Sequence, residues 1–385
     1  MRRVVVAPNA LKGSLGAPEA AEALRDGWRK VFPDAEYRLV PVSDGGDGFV
    51  ESLVAATGGE VRQAAVTGPL GRRVTAAWGI LGDGRTAVIE MALASGLVLV
   101  PLAERNPERT TTHGTGELIK AALDAGCTTI MVGIGGSATN DGGIGMARAL
   151  GARFLTADGE ELPGYGADLY RLARLDLSHL DPRLSGVTVR VACDVDNPLT
   201  GPKGAAAVYG PQKGAYPEMV ARLDAGLANL AELIRRELGK DIEHLPGAGA
   251  AGGLGGGLVA FLGATLARGI ELMIDATRLE DAVRGADLVL TAEGQIDSQT
   301  LHGKAPYGVA QVAHRYGVPV IAFAGRLADV ELLVPDHFDA LVGLVPGPQS
   351  LSEAMAAARD NARTAAARAA QLVALGLRRA PGRTE

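Results

Sequence analysis

The chain opens with a short β-branched run at residues 4–7 and a polar loop. Apolar residues then recur at Ala21, Leu24, Trp28 and Val31, the spacing of a helix with one buried face. Pro18 stands where a first helical turn tolerates proline, and residues 37–42 return to strand-like composition. Residues 287–345 repeat this β-α-β grammar with DLVLT, a helix around 309–313, VPVIAFAG and ALVGLV. Both chain ends therefore predict parts of one parallel, helix-covered sheet. Between them, residues 60–100 alternate and carry turn signals at Gly68-Pro69, Gly71 and Gly82-Asp83-Gly84, which predicts antiparallel strands. Thr115 is placed to cap a helix through Leu118, Ile119, Ala122 and Leu123, a strand follows at 129–132, and the alanine-rich segment 351–375 predicts a closing helix. The expected architecture is α/β with two domains. One is a discontinuous Rossmann-like parallel-sheet domain built from residues 1–59 and 279–385. The other is an inserted mixed α/β domain, residues 60–278, with an antiparallel β segment and a glycine-rich loop.

Composition narrows the function classes. With 385 residues, 47% hydrophobic and 21% charged, the chain is long enough for more than one core and too apolar to be disordered. A formal charge of −6 gives no broad basic surface, so nucleic acid is not an expected partner. Cys127 and Cys193 lack CxxC partners, as in a reducing compartment, and the apolar run of MRRVVVAPNA is too short for a signal-peptide core. The uncharged stretch 247–267, GAGAAGGLGGGLVAFLGATLA, reads as a glycine loop feeding a buried helix, not as a membrane span. A soluble, cytoplasmic protein is expected.

Chemistry concentrates where predicted strands end: NALKGS, SDGGDG, GIGGSATNDGG, CDVDNPLTGPKG and AEGQIDSQTLHGK. In open α/β sheets ligands bind beyond the carboxyl ends of the strands. In GIGGSATNDGG, Gly135 and Gly136 let backbone amides approach an anion, with Ser137, Thr139, Asn140 and Asp141 interleaved, and this predicts a phosphate cradle. Gly133, Gly135 and Ala138 also fit G-x-G-x-x-[GA], with Asp158 further on after a second short strand, so a dinucleotide fold and an NAD-type hydroxy-acid dehydrogenase stay open at this point. So does a non-catalytic nucleotide-binding protein. Asp44, Asp47, Asp194, Asp196, Glu293 and Asp297 supply carboxylates for a base and for Mg²⁺, which phosphoryl transfer needs. Lys12, Lys203, Lys213 and Lys304 each adjoin glycine; Lys12 and Lys304 are the expected phosphate-reaching cations, and His302, bordering the same loop as Lys304, is an expected substrate contact. Asp194 directly follows the apolar run VTVRVAC, which would hold it rigidly, so it is the expected general base, with Asp44 and Glu293 nearer the metal.

Collinear stretches LKGSLGAPEAAEAL, PVSDGGDG, THGTGEL, GIGGSATNDGG, CDVDNPLTGPKGA with PQKGA, PGAGAAGGLGGG and AEGQIDSQTLHGKAPYGVA resemble the bacterial type I glycerate kinase family over essentially the whole chain. The resemblance implies a two-domain α/β kinase acting on D-glycerate with ATP and Mg²⁺, yielding 2-phosphoglycerate in preference to 3-phosphoglycerate. Asn197 and Lys203 would then be partners of glycerate. Gln295 stands where the family more often carries arginine, which removes a fixed positive charge from that loop.

Overall fold

A computed structural model describes residues 1–46 and 48–379; Asp47, one of the carboxylates considered above, lies outside the described residues. Its strands, in chain order, are β1 Arg3–Val6, β2 Glu36–Leu39, β3 Glu60–Thr67, β4 Arg73–Ile80, β5 Thr86–Glu90, β6 Thr129–Gly133, β7 Arg153–Leu155, β8 Arg174–Asp176, β9 Thr188–Ala192, β10 Thr265–Ala267, β11 Leu288–Ile296, β12 Val320–Leu327 and β13 Ala340–Gly343. The chain divides into two compact units, one of residues 1–44, 51–57 and 273–385, the other of 45–50 and 58–272.

The first unit is built on a five-stranded, wholly parallel sheet in the order β13-β12-β11-β1-β2. Val4, Val5 and Val6 pair with Leu288, Val289 and Leu290, so the two chain ends are joined at the centre of the sheet. The helix Ala17–Arg29 accepts Pro18 in its first turn and closes its start with the Gly16 amide donating to Glu19 Oε2 at 3.2 Å. It buries Ala17, Ala20, Ala21, Leu24, Gly27 and Trp28. Against it lies the helix Ala358–Arg379, whose Ala362, Ala365, Ala366, Ala369 and Ala370 are buried. Small side chains on both faces let the two backbones approach closely. The expected single closing helix is two pieces, Leu351–Ala356 and Ala358–Arg379, the first capped by Ser350.

In the second unit the sheet order is β10-β9-β6-β5-β4-β3. The β3–β4 and β4–β5 pairs are antiparallel, as the alternation and turns at 68–71 and 82–84 predict, while β5, β6, β9 and β10 run parallel. Trp78, Ile89, Leu118, Val132, Phe154, Leu230 and Phe261 belong to its buried core. The helix after β5 begins at His113 with Thr112 at its N-cap; Thr115, expected to cap it, sits inside the first turn and its hydroxyl meets that of Ser95 at 2.9 Å. The glycine stretch at 247–262 forms a short 3₁₀ turn, Ala250–Gly253, and a buried helix, Leu254–Leu262. Among the described residues no helix is long and apolar enough to cross a membrane.

Gly27 faces the closing helix so tightly that a Cβ there would lie 2.1 Å from the Arg363 carbonyl oxygen. Gly27→Ala is therefore expected to lower unfolding free energy by about 1–3 kcal/mol despite alanine's better helix propensity. Urea denaturation checks this; a stabilised variant would show that the helices can separate without cost.

Candidate functional site

Two groups of candidate residues stand out, one in each unit. In the first unit the chain order along the sheet reverses between β1 and β11, which is where an open parallel sheet parts its loops to leave room for a ligand. Lys12 follows β1, Asp44 follows β2, and Glu293 lies on β11 opposite Ala324 of β12. The last point corrects the sequence reading, which ended the strand at Leu290. Strand pairing continues to Ile296, so Glu293 and Gln295 are fixed by the ladder and only Asp297 begins the loop. Asp297 caps the 3₁₀ turn Ser298–His302, accepting from the Gln299 amide at 3.0 Å and from Gln295 Nε2 at 2.5 Å.

Glu293 is the focus of this group. Its carboxylate is only 13% exposed, Oε2 is buried without a partner, and Oε1 lies 3.9 Å from Lys304 Nζ. Burial pushes its carboxyl up to about 7, opposed by the Lys304 and Lys12 charges and reinforced by Asp44 and Asp297. A buried oxygen lacking a donor, with two further carboxylates raising its proton affinity, suits an incoming cation. Among the described residues no three His, Cys, Asp or Glu form a closed metal cage. Mg²⁺ needs no such cage, since it keeps waters and takes one or two carboxylates beside substrate phosphates. Lys12 is exposed, Lys304 half-buried, and His302 exposed at the end of its turn. The structure thus brings Lys12, Asp44, Glu293 and Lys304 into one electrostatic group.

The second group is the loop between β6 and the short helix Ile144–Ala149. Gly135 and Gly136 are exposed, but Ser137, Thr139, Asn140 and Asp141 are buried. Their side chains therefore build the loop from within instead of lining its surface. Asp141 Oδ2 accepts from the Thr112 amide at 2.7 Å and the Thr112 hydroxyl at 2.8 Å, and Oδ1 accepts from the Gly143 amide at 3.0 Å. Ser137 Oγ accepts from the Thr139 amide at 3.0 Å, while both polar atoms of the Asn140 side chain are buried without partners. The other glycines serve packing. A Cβ at Gly252 would fall 1.9 Å from the Thr139 carbonyl oxygen and one at Gly257 2.4 Å from that of Gly142, so the 247–257 glycine stretch lies backbone to backbone against this loop.

Lys213 is the residue sequence reasoning undervalued. It ends the 3₁₀ turn Pro211–Lys213 and is fully buried, its Nζ donating to the Thr139 carbonyl at 2.6 Å and to Ser137 Oγ at 3.3 Å. Burial lowers its ammonium to about 7 against the pull of Asp141. The available signal was its place between Gly210 and Gly214 in a weakly charged stretch, which a surface lysine does not need.

The loop after β9 holds Asp194, Asn197 and Lys203. Asp194 is exposed and its Oδ1 accepts from the Gly269 amide at 3.0 Å, at the start of the helix Gly269–Thr277. Asn197 spends its side chain internally: Nδ2 donates to the Lys203 carbonyl at 2.8 Å and Oδ1 accepts from the Tyr209 hydroxyl at 2.6 Å. Lys203 is exposed. The dinucleotide reading fails on topology, because β7 pairs only with β8 in a separate two-stranded antiparallel sheet and is no parallel neighbour of β6.

Known proteins resemble this chain along almost its whole length. A family model described as the glycerate kinase family matches residues 4–374. The chain is similar to glycerate 2-kinase of Escherichia coli (strain K12), 52% identical over 379 residues, which is 98% of this chain and 100% of that protein. It is also similar to glycerate kinase of Bacillus subtilis (strain 168), 54% identical over 353 residues, 91% of this chain and 92% of the relative. Among solved structures, a crystal structure described as glycerate kinase 2 from Salmonella typhimurium LT2 superposes with a TM-score of 0.91 at 51% identity, covering 98% of this chain and 99% of that one.

The buried ammonium makes stability depend on pH. An unfolded lysine titrates near 10.5 and Lys213 near 7, so between those values the unfolded chain binds the extra proton. Unfolding free energy then gains up to about 1.4 kcal/mol per pH unit from this group as pH rises from 7, and the gain fades as pH nears 10.5. Lys213→Met should remove this slope. Urea titrations of both proteins at pH 7, 8 and 9 read it directly, and parallel pH dependences would mean that Lys213 is charged at ordinary cost.

Proposed function

Because the chain belongs to the glycerate kinase family, we propose that it transfers the γ-phosphoryl group of ATP to a hydroxyl of D-glycerate, giving 2-phosphoglycerate in preference to 3-phosphoglycerate. The observation that carries this reading is the 52% identity to glycerate 2-kinase across 98% of the chain. The acceptor hydroxyl attacks phosphorus, its proton passes to a base, and the bond to the departing ADP oxygen breaks.

In this reading the exposed Gly135–Gly136 turn meets nucleotide phosphates through backbone amides, shaped from beneath by Ser137, Thr139, Asn140 and Asp141. Lys12 and Lys304 balance the charge of phosphate and of the glycerate carboxylate, with His302 beside them. Glu293 and Asp44 would hold Mg²⁺, and its chemistry is to neutralise charge on the transferring phosphates. Cation binding at Glu293 displaces the proton that burial holds there, so Glu293→Gln should raise the Mg²⁺ concentration for half-maximal activity by about tenfold or more. Asp194, steadied by the Gly269 amide, is the base, and the loop it begins offers Lys203 toward glycerate, while Asn197, its side chain held by the Lys203 carbonyl and the Tyr209 hydroxyl, shapes that loop and does not reach the substrate.

Incubating the protein with ATP, Mg²⁺ and D-glycerate and recording the phosphorus NMR spectrum tests the reaction and its regiochemistry together. ADP and 2-phosphoglycerate are expected; ADP release without a phosphoglycerate signal would overturn the reading. Lys12→Ala and Lys304→Ala should each lower kcat/KM by about 10²-fold or more with little change in Tm. For Asp194→Asn the expected loss is about 10²–10⁴ in kcat at similar ATP affinity, and near-normal turnover would move the base elsewhere.

A further inference from the structure

The surface of the β6 loop and its interior are separate problems. Outside, Gly135 and Gly136 present bare backbone, with Gly136 at φ 72° and its carbonyl accepting from the Leu97 amide at 2.8 Å. Inside, the next residues turn their polar groups inward, and one side chain from a distant element meets them. Lys213 comes from the turn Pro211–Lys213, closed by Gly214 in the left-handed region at φ 95° and packed on Arg105, which donates to the Gln212 carbonyl at 3.3 Å. The ammonium grips the loop at Ser137 Oγ and the Thr139 carbonyl, and Ser137 Oγ also receives the Thr139 amide. On the far side Asp141 ties the same loop to Thr112 at the N-cap of the helix His113–Asp124. The buried Lys213 amino group and the buried Asp141 carboxyl thus hold the segment 137–141 from two sides.

We propose that Lys213 is a positioning residue for the nucleotide, its buried amino group setting the shape of the Gly135–Gly136 turn from inside without touching the ligand. A buried charge is costly, and Thr139 O could be satisfied by a neutral donor, so stability alone does not call for lysine here. What the lysine nitrogen adds, as amine or as ammonium, is two divergent donors at one point, fixing a hydroxyl and a carbonyl two residues apart and so the curvature of the backbone between them. The turn's amides can receive anionic oxygens only if that curvature is held. The inference rests on reading the loop as the nucleotide-phosphate site, and the experiment separates the two.

Steady-state kinetics of Lys213→Met are compared with Gly136→Ala, which strains the turn itself, and with Phe154→Leu, a core truncation on β7 in the same unit. Lys213→Met should raise KM for ATP by about tenfold or more, with KM for D-glycerate and kcat within about threefold, because binding geometry and not the chemical step is lost. Phe154→Leu should lower Tm without moving KM for ATP. Should Lys213→Met fail to fold because Asp141 is stranded, the Lys213→Met/Asp141→Asn double variant removes both charges, and the same rise in KM for ATP is expected. A folded Lys213 variant, single or double, with wild-type KM for ATP overturns the inference, provided Gly136→Ala raises it. If Gly136→Ala leaves KM for ATP unchanged, the loop is not the phosphate site and both readings fall. If Phe154→Leu shifts KM for ATP as much as Lys213→Met does, Lys213 acts only through general stability and the inference is overturned.

Discussion

The parallel pairing of β1 with β11 is the constraint on which the first unit depends. It brings Val4–Val6 against Leu288–Leu290 and closes the whole intervening chain as one excursion. Loop-closure entropy grows only slowly with length, so so long an excursion is affordable once the pairing is buried on both faces. Thr291 reinforces it, its hydroxyl donating to the Ala7 carbonyl at 2.8 Å. Because β1 then lies between β2 and β11, the sheet reverses its winding there, and the reversal sets the Lys12 loop beside Glu293. The functional position follows from the strand order.

Within the second unit the comparable constraint is backbone contact. Gly252, Gly253 and Gly257 let their main chain touch that of residues 139–142, where a Cβ at Gly252 or Gly257 would overlap a carbonyl oxygen. Such contact buries the polar groups of 137–141, and Lys213 and Thr112 satisfy Ser137, Thr139 and Asp141 from within the protein, while the Asn140 side chain stays without a partner. Gly135 and Gly136 are exposed while residues 137–141 are buried, so the surface that the loop offers to a ligand is much smaller than its polar composition suggests.

Charge is handled differently in the two units. Glu293 keeps an unsatisfied oxygen and a carboxyl lifted to about 7 beside Lys304, a group open to a cation or a proton. Lys213 and Asp141 are enclosed, and their charges answer loop groups and not solvent. The first arrangement suits exchange with a ligand. The second suits rigidity.

The sequence by itself determined the element types, the antiparallel excursion at residues 60–90, the parallel sheet shared by both chain ends, and the loops where chemistry gathers, because hydrophobic period and turn residues are local properties. It also carried the family, through motifs kept in order along the chain. Tertiary structure alone decided that β11 continues through Glu293, since strand length is set by the partner β12 and not by the glycine in EGQ. It decided that the helix begins at His113, with Thr115 inside its first turn and bonded to Ser95, and that the Thr112 hydroxyl at the N-cap position goes to Asp141 and not to the helix's own amides. Lys12 and Lys213 read alike in sequence, each a lysine beside glycine. One is exposed and the other lies beneath the loop, because burial is fixed by what packs on a residue, and those neighbours are distant in sequence.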